Sequence, residues 1–256
     1  VDRSRGLGDV YKRQPLAPEK IVIQNASIYD GDGGEFFETD VLVEDGKIIA
    51  IGKDLPFSNE FRVIDATGKW VTPGIIDIHS HMGVYPAPGV RTSSDGNEAT
   101  SPVTADVWAE HSIWVQDPQY ALALTGGVTA FHILPGSANL IGGRGVTVKN
   151  LQRNTINSMK FPDAPHSLKM ACGENPKRVY GNRGQAPSTR MGNAAGYRKS
   201  WIQAEGYLRR LNEYEEKSDE AKELEYAPTR DLEMETLAGV LKLSLIHISE
   251  PTRPIH

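Results

Sequence analysis

The chain has 256 residues, 39% hydrophobic and 24% charged, with 28 basic and 33 acidic side chains giving a formal charge of −5. This is the composition of a globular protein. The negative balance argues against nucleic acid as a main partner, and no apolar run approaches the roughly 18 residues of a membrane span. The single cysteine, Cys172, excludes an intrachain disulfide and a cysteine-rich zinc module.

The two ends are related through their codons. Residues 4–14 read SRGLGDVYKRQ and residues 243–253 read LSLIHISEPTR. One codon choice for the first segment has a reverse complement that translates, in order, into the second. Such DNA resembles a transposase-type sequencing adapter. We expect residues 1–14 and 243–256 to be translated adapter, and leave them out of the fold reasoning. On this reading the natural body is about residues 15–242, cut at both ends.

Within the body, residues 20–29 carry a β-branched run and DGDGG follows as a turn. Residues 40–52 read as a hairpin, with Asp45-Gly46 as the turn between alternating valines and an isoleucine-rich arm. FRVID and KWVT add two short strands. Together, residues 15–73 form a small all-β domain, too small to bury a large core by itself.

From Gly74 the pattern changes. GIIDIHSH reads as a buried strand. TADVWAEHSIWVQ and DPQYALALTGG are helix-compatible, with Asp117 as a cap ahead of Pro118. GVTAFHIL (127–134) is a second strand, GVTVKN (145–150) a short strand or hairpin arm, and SLKMAC (167–172) another buried strand. A long polar helix follows, with a charge run over 213–225 that reads as a solvated face or linker. DLEMETLAGVLK (231–242) closes the body as an amphipathic helix. Alternating strands and helices predict βαβ units and a parallel sheet.

The chemistry centres on His79 and His81. Strand residues two apart share a face, so Asp77, His79 and His81 point one way while Ile76, Ile78 and Ser80 point the other. In a (β/α)8 barrel the isoleucines would pack on helices, and the histidines would sit at the C-terminal end of the strand, where active sites lie. Two imidazoles on one face can reach one zinc-type ion. His-x-His alone is a weak signal. The longer segment VIDATGKWVTPGIIDIHSH resembles the amidohydrolase superfamily, in which a small β domain precedes a barrel and Pro-Gly opens a first strand ending in His-x-His. TGGVTAFHILPGSANLIGG further resembles the imidazolonepropionase-related and dipeptidase-like branch.

That resemblance covers about residues 20–242 and carries several expectations. The fold is α/β: an incomplete (β/α)8 TIM barrel over 74–242, about the first half, behind the small β domain. The cofactor is one or two divalent metal ions, most often zinc. SLKMACGEN resembles the strand bearing the bridging ligand, which makes Lys169, as a carbamate, the third ligand, with Glu174 as the alternative. Asp77 is expected to support the histidines from behind. The other ligands of the family, two further histidines and an aspartate that serves as general base, have no positions in the body. The implied activity is hydrolysis of a C–N bond in a small amide, cyclic amide or dipeptide by metal-activated water. Two alternatives stay open: a metal-dependent deaminase of an amino-substituted ring, and a catalytically dead barrel serving as a binding or scaffold module. The truncated chain itself is expected to be inactive.

Other polar residues carry smaller expectations. His132 and Asn139 lie near the end of the second strand and are candidates for substrate contact or for structural hydrogen bonds. His111, beside Trp108 and Trp114, reads as packing, and His166 as exposed. GSANLIGGRG lacks the spacing and lysine of a phosphate loop and reads as a shaped loop near the site. The basic stretch PKRVYGNRGQAPSTR is either a solvated loop or a carboxylate holder through Arg178, Arg183 or Arg190. His247, in LIHIS, imitates the histidine of a next strand but falls within the adapter match.

Overall fold

A computed structural model describes residues 19–243 and 245–251, with backbone only for 246–251. Residues 1–14, expected to be translated adapter, lie outside the described residues. The chain divides into two compact units between Pro73 and Gly74.

The first unit is a five-stranded sheet. Strands β1 (Ile21–Tyr29), β2 (Glu35–Glu44), β3 (Lys47–Gly52) and β4 (Arg62–Asp65) lie in the order β3-β2-β1-β4, and β5 (Trp70–Val71) pairs with the far end of β1. The expected hairpin is β2–β3, turning at Asp45 and Gly46, both at positive φ. Its small core gathers Ala26, Ile28, Val41 and Ala66.

The second unit holds β6 (Ile75–Ser80), α1 (Gln119–Thr125), β7 (Val128–Ile133), β8 (Ile141–Lys149), β9 (Ser167–Cys172), α2 (Glu174–Gly181), α3 (Arg190–Glu215), α4 (Asp219–Leu224), α5 (Leu232–Leu241) and β10 (Ile246–Pro251). Its sheet order is β10-β9-β8-β7-β6. This curled, partial barrel sheet with helices between strands is the expected α/β class.

The sheet is not wholly parallel. β6–β7 and β9–β10 are parallel pairs, but β8 runs antiparallel to both neighbours. The cause is connection length. Residues 134–140 join β7 to β8, and a parallel crossover needs a dozen or more residues. The arm expected over 145–150 is therefore the end of a longer hairpin strand. The stretch around Trp108 also departs from expectation, forming one 3-10 turn at Ala109–His111. β10 occupies positions read as adapter, with His247 in register beside Leu168.

Two cores support the sheet. Phe131, Ile133, Val146, Val148 and Met159 fill one. Leu140, Leu168, Ala204, Tyr207 and Leu237 join β8 and β9 to α3 and α5 in the other. Asp117 ties α1 to the chain after β6: it accepts from Gln119 N at 3.0 Å in the first turn and from Gly83 N at 3.2 Å. The isoleucines of β6 are exposed, Ile76 at 62% and Ile78 at 74%, against the expectation that helices cover them. β6 is the edge strand, and α1 packs on β7.

Candidate metal centre

β6 and β7 run side by side, and the pairing continues past Ser80, whose carbonyl accepts from Leu134 N at 2.9 Å. The carbonyl of the same leucine accepts from His81 Nδ1 at 2.9 Å. A proton fixed on Nδ1 leaves Nε2 as the lone-pair nitrogen, the usual arrangement of a metal-binding imidazole. The His79 ring stands nearly perpendicular to that of His81, with centroids 5.5 Å apart. Asp77 supports this turn through the backbone, its Oδ1 accepting from His79 N at 3.1 Å.

Lys169 enters from β9. It has no exposed surface, and its Nζ lies 3.0 Å from His79 Nε2. Opposite it on β8 is Gly143, at φ +106°, where a Cβ would come within 2.3 Å of the Val107 carbonyl oxygen. Only glycine is tolerated in that close backbone approach. The fold thus brings together three of the residues singled out from sequence, His79, His81 and Lys169.

It does not bring in the rest. Glu174 opens α2, where its Oε1 accepts from Arg178 Nε at 2.7 Å. Among the described residues, no three His, Cys, Asp or Glu side chains gather to hold a metal ion, so Glu174 does not complete the histidine pair. The donors at hand are two imidazoles and a lysine. This set suits a zinc-type ion only once the lysine carries an anionic oxygen, as a carbamate would.

His132 and Asn139 are engaged inside the protein. His132 Nδ1 bonds Thr147 Oγ1 at 2.9 Å and its Nε2 bonds Ser167 Oγ at 2.6 Å. Desolvation, with His166 and His79 adding smaller repulsions, holds its pKa below the usual histidine value. Asn139 is 1% exposed; its Nδ2 donates to Glu98 O and Thr104 Oγ1, both at 2.7 Å, and its Oδ1 accepts from Tyr180 OH at 2.6 Å. These bonds make both residues structural ties. His111 stacks on Trp108 at 5.6 Å, the packing expected of it. His166, expected to be exposed, is half-buried because Nδ1 bonds the Gly145 carbonyl and its ring meets Trp108.

An open pocket of about 340 Å³ adjoins His81 and is lined by Tyr85, Asn97, Ser137, Asn175 and Arg178, among others. The first four were not singled out from the sequence; the shaped GSANLIGG loop, which supplies Ser137, was the one available signal. Of the three candidate arginines, Arg178 alone lines this pocket. Arg183 donates to Ala99 O and lies over the Tyr180 ring. Arg190 opens α3 and is exposed.

The pair of histidines and the buried lysine thus gather at the C-terminal end of a strand in a partial α/β barrel, where the active sites of such barrels lie. No protein-family model matches the chain. It is similar to an amidohydrolase of Thermotoga maritima of known structure, with 39% identity and a TM-score of 0.78 over 87% of this chain and 56% of that one. It is 36% identical over 237 residues to amidohydrolase tasK of Hapsidospora irregularis, covering 86% of this chain and 24% of that protein. A shorter match, 46% over 74 residues, is to a dihydroorotase of Lactobacillus helveticus, covering 29% of this chain and 16% of that enzyme. By sequence and fold the chain is thus similar to members of the amidohydrolase superfamily. It spans about half the length of the Thermotoga protein and about a quarter of tasK. No helix among the described residues is long and apolar enough to cross a membrane.

Proposed function

We propose that this sequence is part of a divalent-metal-dependent hydrolase of C–N bonds in small amides, including cyclic amides and dipeptides. The observation that carries the reading is the 3.0 Å approach of buried Lys169 Nζ to His79 Nε2, beside His81. The names of the relatives agree in kind: an amidohydrolase, a dihydroorotase and, at 37% identity over 95 residues, a dihydropyrimidinase of Rattus norvegicus.

In this reading His79, His81 and carbamylated Lys169 hold a zinc-type ion. When bound, such an ion supplies Lewis acidity, which lowers the pKa of water toward neutrality and polarises the scissile carbonyl. The residues of the chain do the positioning. Leu134 O fixes the His81 tautomer, and Asp77 steadies the backbone of His79. The burial of Lys169 keeps a carbamate away from bulk water. The remaining ligands and the general-base aspartate belong to the part of the relatives that this chain does not span. His247, in the segment expected to be translated adapter, is left outside the proposed ligand set.

The 256-residue chain is accordingly inactive and prone to associate through unpaired strand edges. The test uses the chain and the uninterrupted reading frame from the source DNA. Both are assayed with zinc on cyclic ureides, N-acyl amino acids and dipeptides, each beside its His79→Ala variant. Hydrolysis is expected only from the uninterrupted protein, lost in the variant. Metal-dependent hydrolysis by the 256-residue chain above its variant would overturn the inactivity, and a metal-independent uninterrupted protein would overturn the whole reading. Release of ammonia from ring-amino substrates alone would favour the deaminase.

A further inference from the structure

A second cavity lies on the helix side of the sheet, away from the histidines. Along β9, Lys169 faces His79, while Leu168 and Met170 face α3 and α5. An open cavity of about 430 Å³ borders those two helices. Its walls are mainly apolar, from Val103, Leu140, Ala186, Pro187 and Ala195. A space of this size with apolar walls and a few polar groups is the usual form of a small-molecule site. It shares no lining residue with the pocket beside His81.

The backbone of α3 itself makes one wall. Gly192, Ala195, Gly196 and Lys199 are three or four residues apart and share a face of the helix. At Gly196 a Cβ would come within 2.5 Å of Leu140 Cδ1, and at Gly192 within 3.3 Å of Pro187. Small residues on this face leave open the space that longer side chains would fill.

Two charges of opposite sign line the cavity, Lys199 on α3 and Glu233 in the first turn of α5. Among the described residues neither forms an ion pair, so they do not neutralise each other. Glu233 is half-buried. Burial, with repulsion from Asp106 and Asp231, holds its pKa above the usual carboxylate value. An ammonium group beside it would offset that repulsion. Ser200 Oγ donates to Gly196 O at 3.1 Å, which leaves its own lone pairs to accept.

We propose that this cavity is a second ligand site, which takes a small amino acid with an apolar side chain. The carboxylate meets Lys199, the ammonium meets Glu233, and the side chain lies against Val103, Leu140 and Pro187. A ligand with one charge would leave the other protein charge unanswered, and one without an apolar body would leave the walls wet. Binding here needs neither the metal nor hydrolysis.

The experiment measures, by calorimetry on the 256-residue chain, the binding of L-leucine, of L-leucinamide, which lacks the carboxylate, and of 4-methylpentanoate, which lacks the amine. Leucine is expected to bind about ten-fold more tightly than either analogue, the worth of one charge-assisted pair. Lys199→Met lowers leucine affinity about ten-fold and leaves leucinamide unchanged. Glu233→Gln lowers leucine affinity by a similar factor and leaves 4-methylpentanoate unchanged. Ala195→Trp, which fills the cavity from α3, abolishes binding of all three. Arg178→Met and the withholding of zinc leave leucine binding intact, and circular dichroism checks the fold of each variant. Leucine binding no tighter than both analogues, no binding at ten millimolar, or binding that survives Ala195→Trp in a folded chain would each overturn the proposal. Leucine binding that is lost in Arg178→Met or without zinc would move the site to the pocket beside His81 and overturn it equally.

Discussion

Lys169 Nζ and His79 Nε2 lie 3.0 Å apart across ninety residues of sequence. The contact joins β9 to the end of β6, across the two intervening strands of the sheet. Lys169 has no exposed surface, and under the proposed function it becomes an anionic carbamate there.

If Lys169 takes up CO2, protein incubated with 13C-bicarbonate and zinc will show one carbamate carbonyl resonance. Lys169→Arg will lack it, since a guanidinium does not form the carbamate. Zinc affinity is expected to fall at least ten-fold in the same variant. A resonance unchanged by the substitution would assign the carbamate elsewhere.

His132 makes stability pH-dependent with a defined sign. Burial holds its folded pKa below the unfolded value of about 6.5. The unfolded chain therefore takes up the proton first as pH falls. The stabilisation is complete above about pH 6.5 and declines below it until the folded pKa is reached. Urea unfolding across this window should show a steeper loss for the wild type than for His132→Asn. Parallel slopes would remove His132 as the source.

Asn139 separates a structural tie from a substrate contact. Asn139→Ala removes its bonds to Tyr180 OH, Thr104 Oγ1 and Glu98 O inside the protein, and should cost about 1–3 kcal/mol of unfolding free energy. Hydrolysis of N-acyl amino acids by the uninterrupted protein carrying the change is expected to be unaltered. A raised KM with unaltered stability would return Asn139 to the binding site.

Leu237 tests whether α5 holds the sheet. It is fully buried against the cluster that includes Leu140 and Leu168. Leu237→Ala should destabilise by about 2–5 kcal/mol, the range for a large-to-small change in a packed core. A loss below about 1 kcal/mol, read from the denaturant midpoint, would mean that α5 contributes little to this core.

The sequence by itself determined the local pieces, because each depends on neighbouring residues. Period-two alternation put His79 on the face of Asp77 and marked β6 as a strand, and Asp45-Gly46 marked the β2–β3 turn. Asp117 announced the start of α1. The tertiary structure decided what depends on distance through space. The direction of β8 follows from a connection too short to cross over, a constraint that propensity does not register. The choice of Lys169 over Glu174 beside His79 follows from strand register across the sheet, since one residue of shift turns a side chain to the other face. The choice of Arg178 among three arginines follows from where α2 begins relative to β9. The internal bonds of His132 and Asn139 need partners up to 41 residues away. Polar residues near a strand end read alike in one dimension, and only packing separates those committed to internal bonds from those that face the pocket.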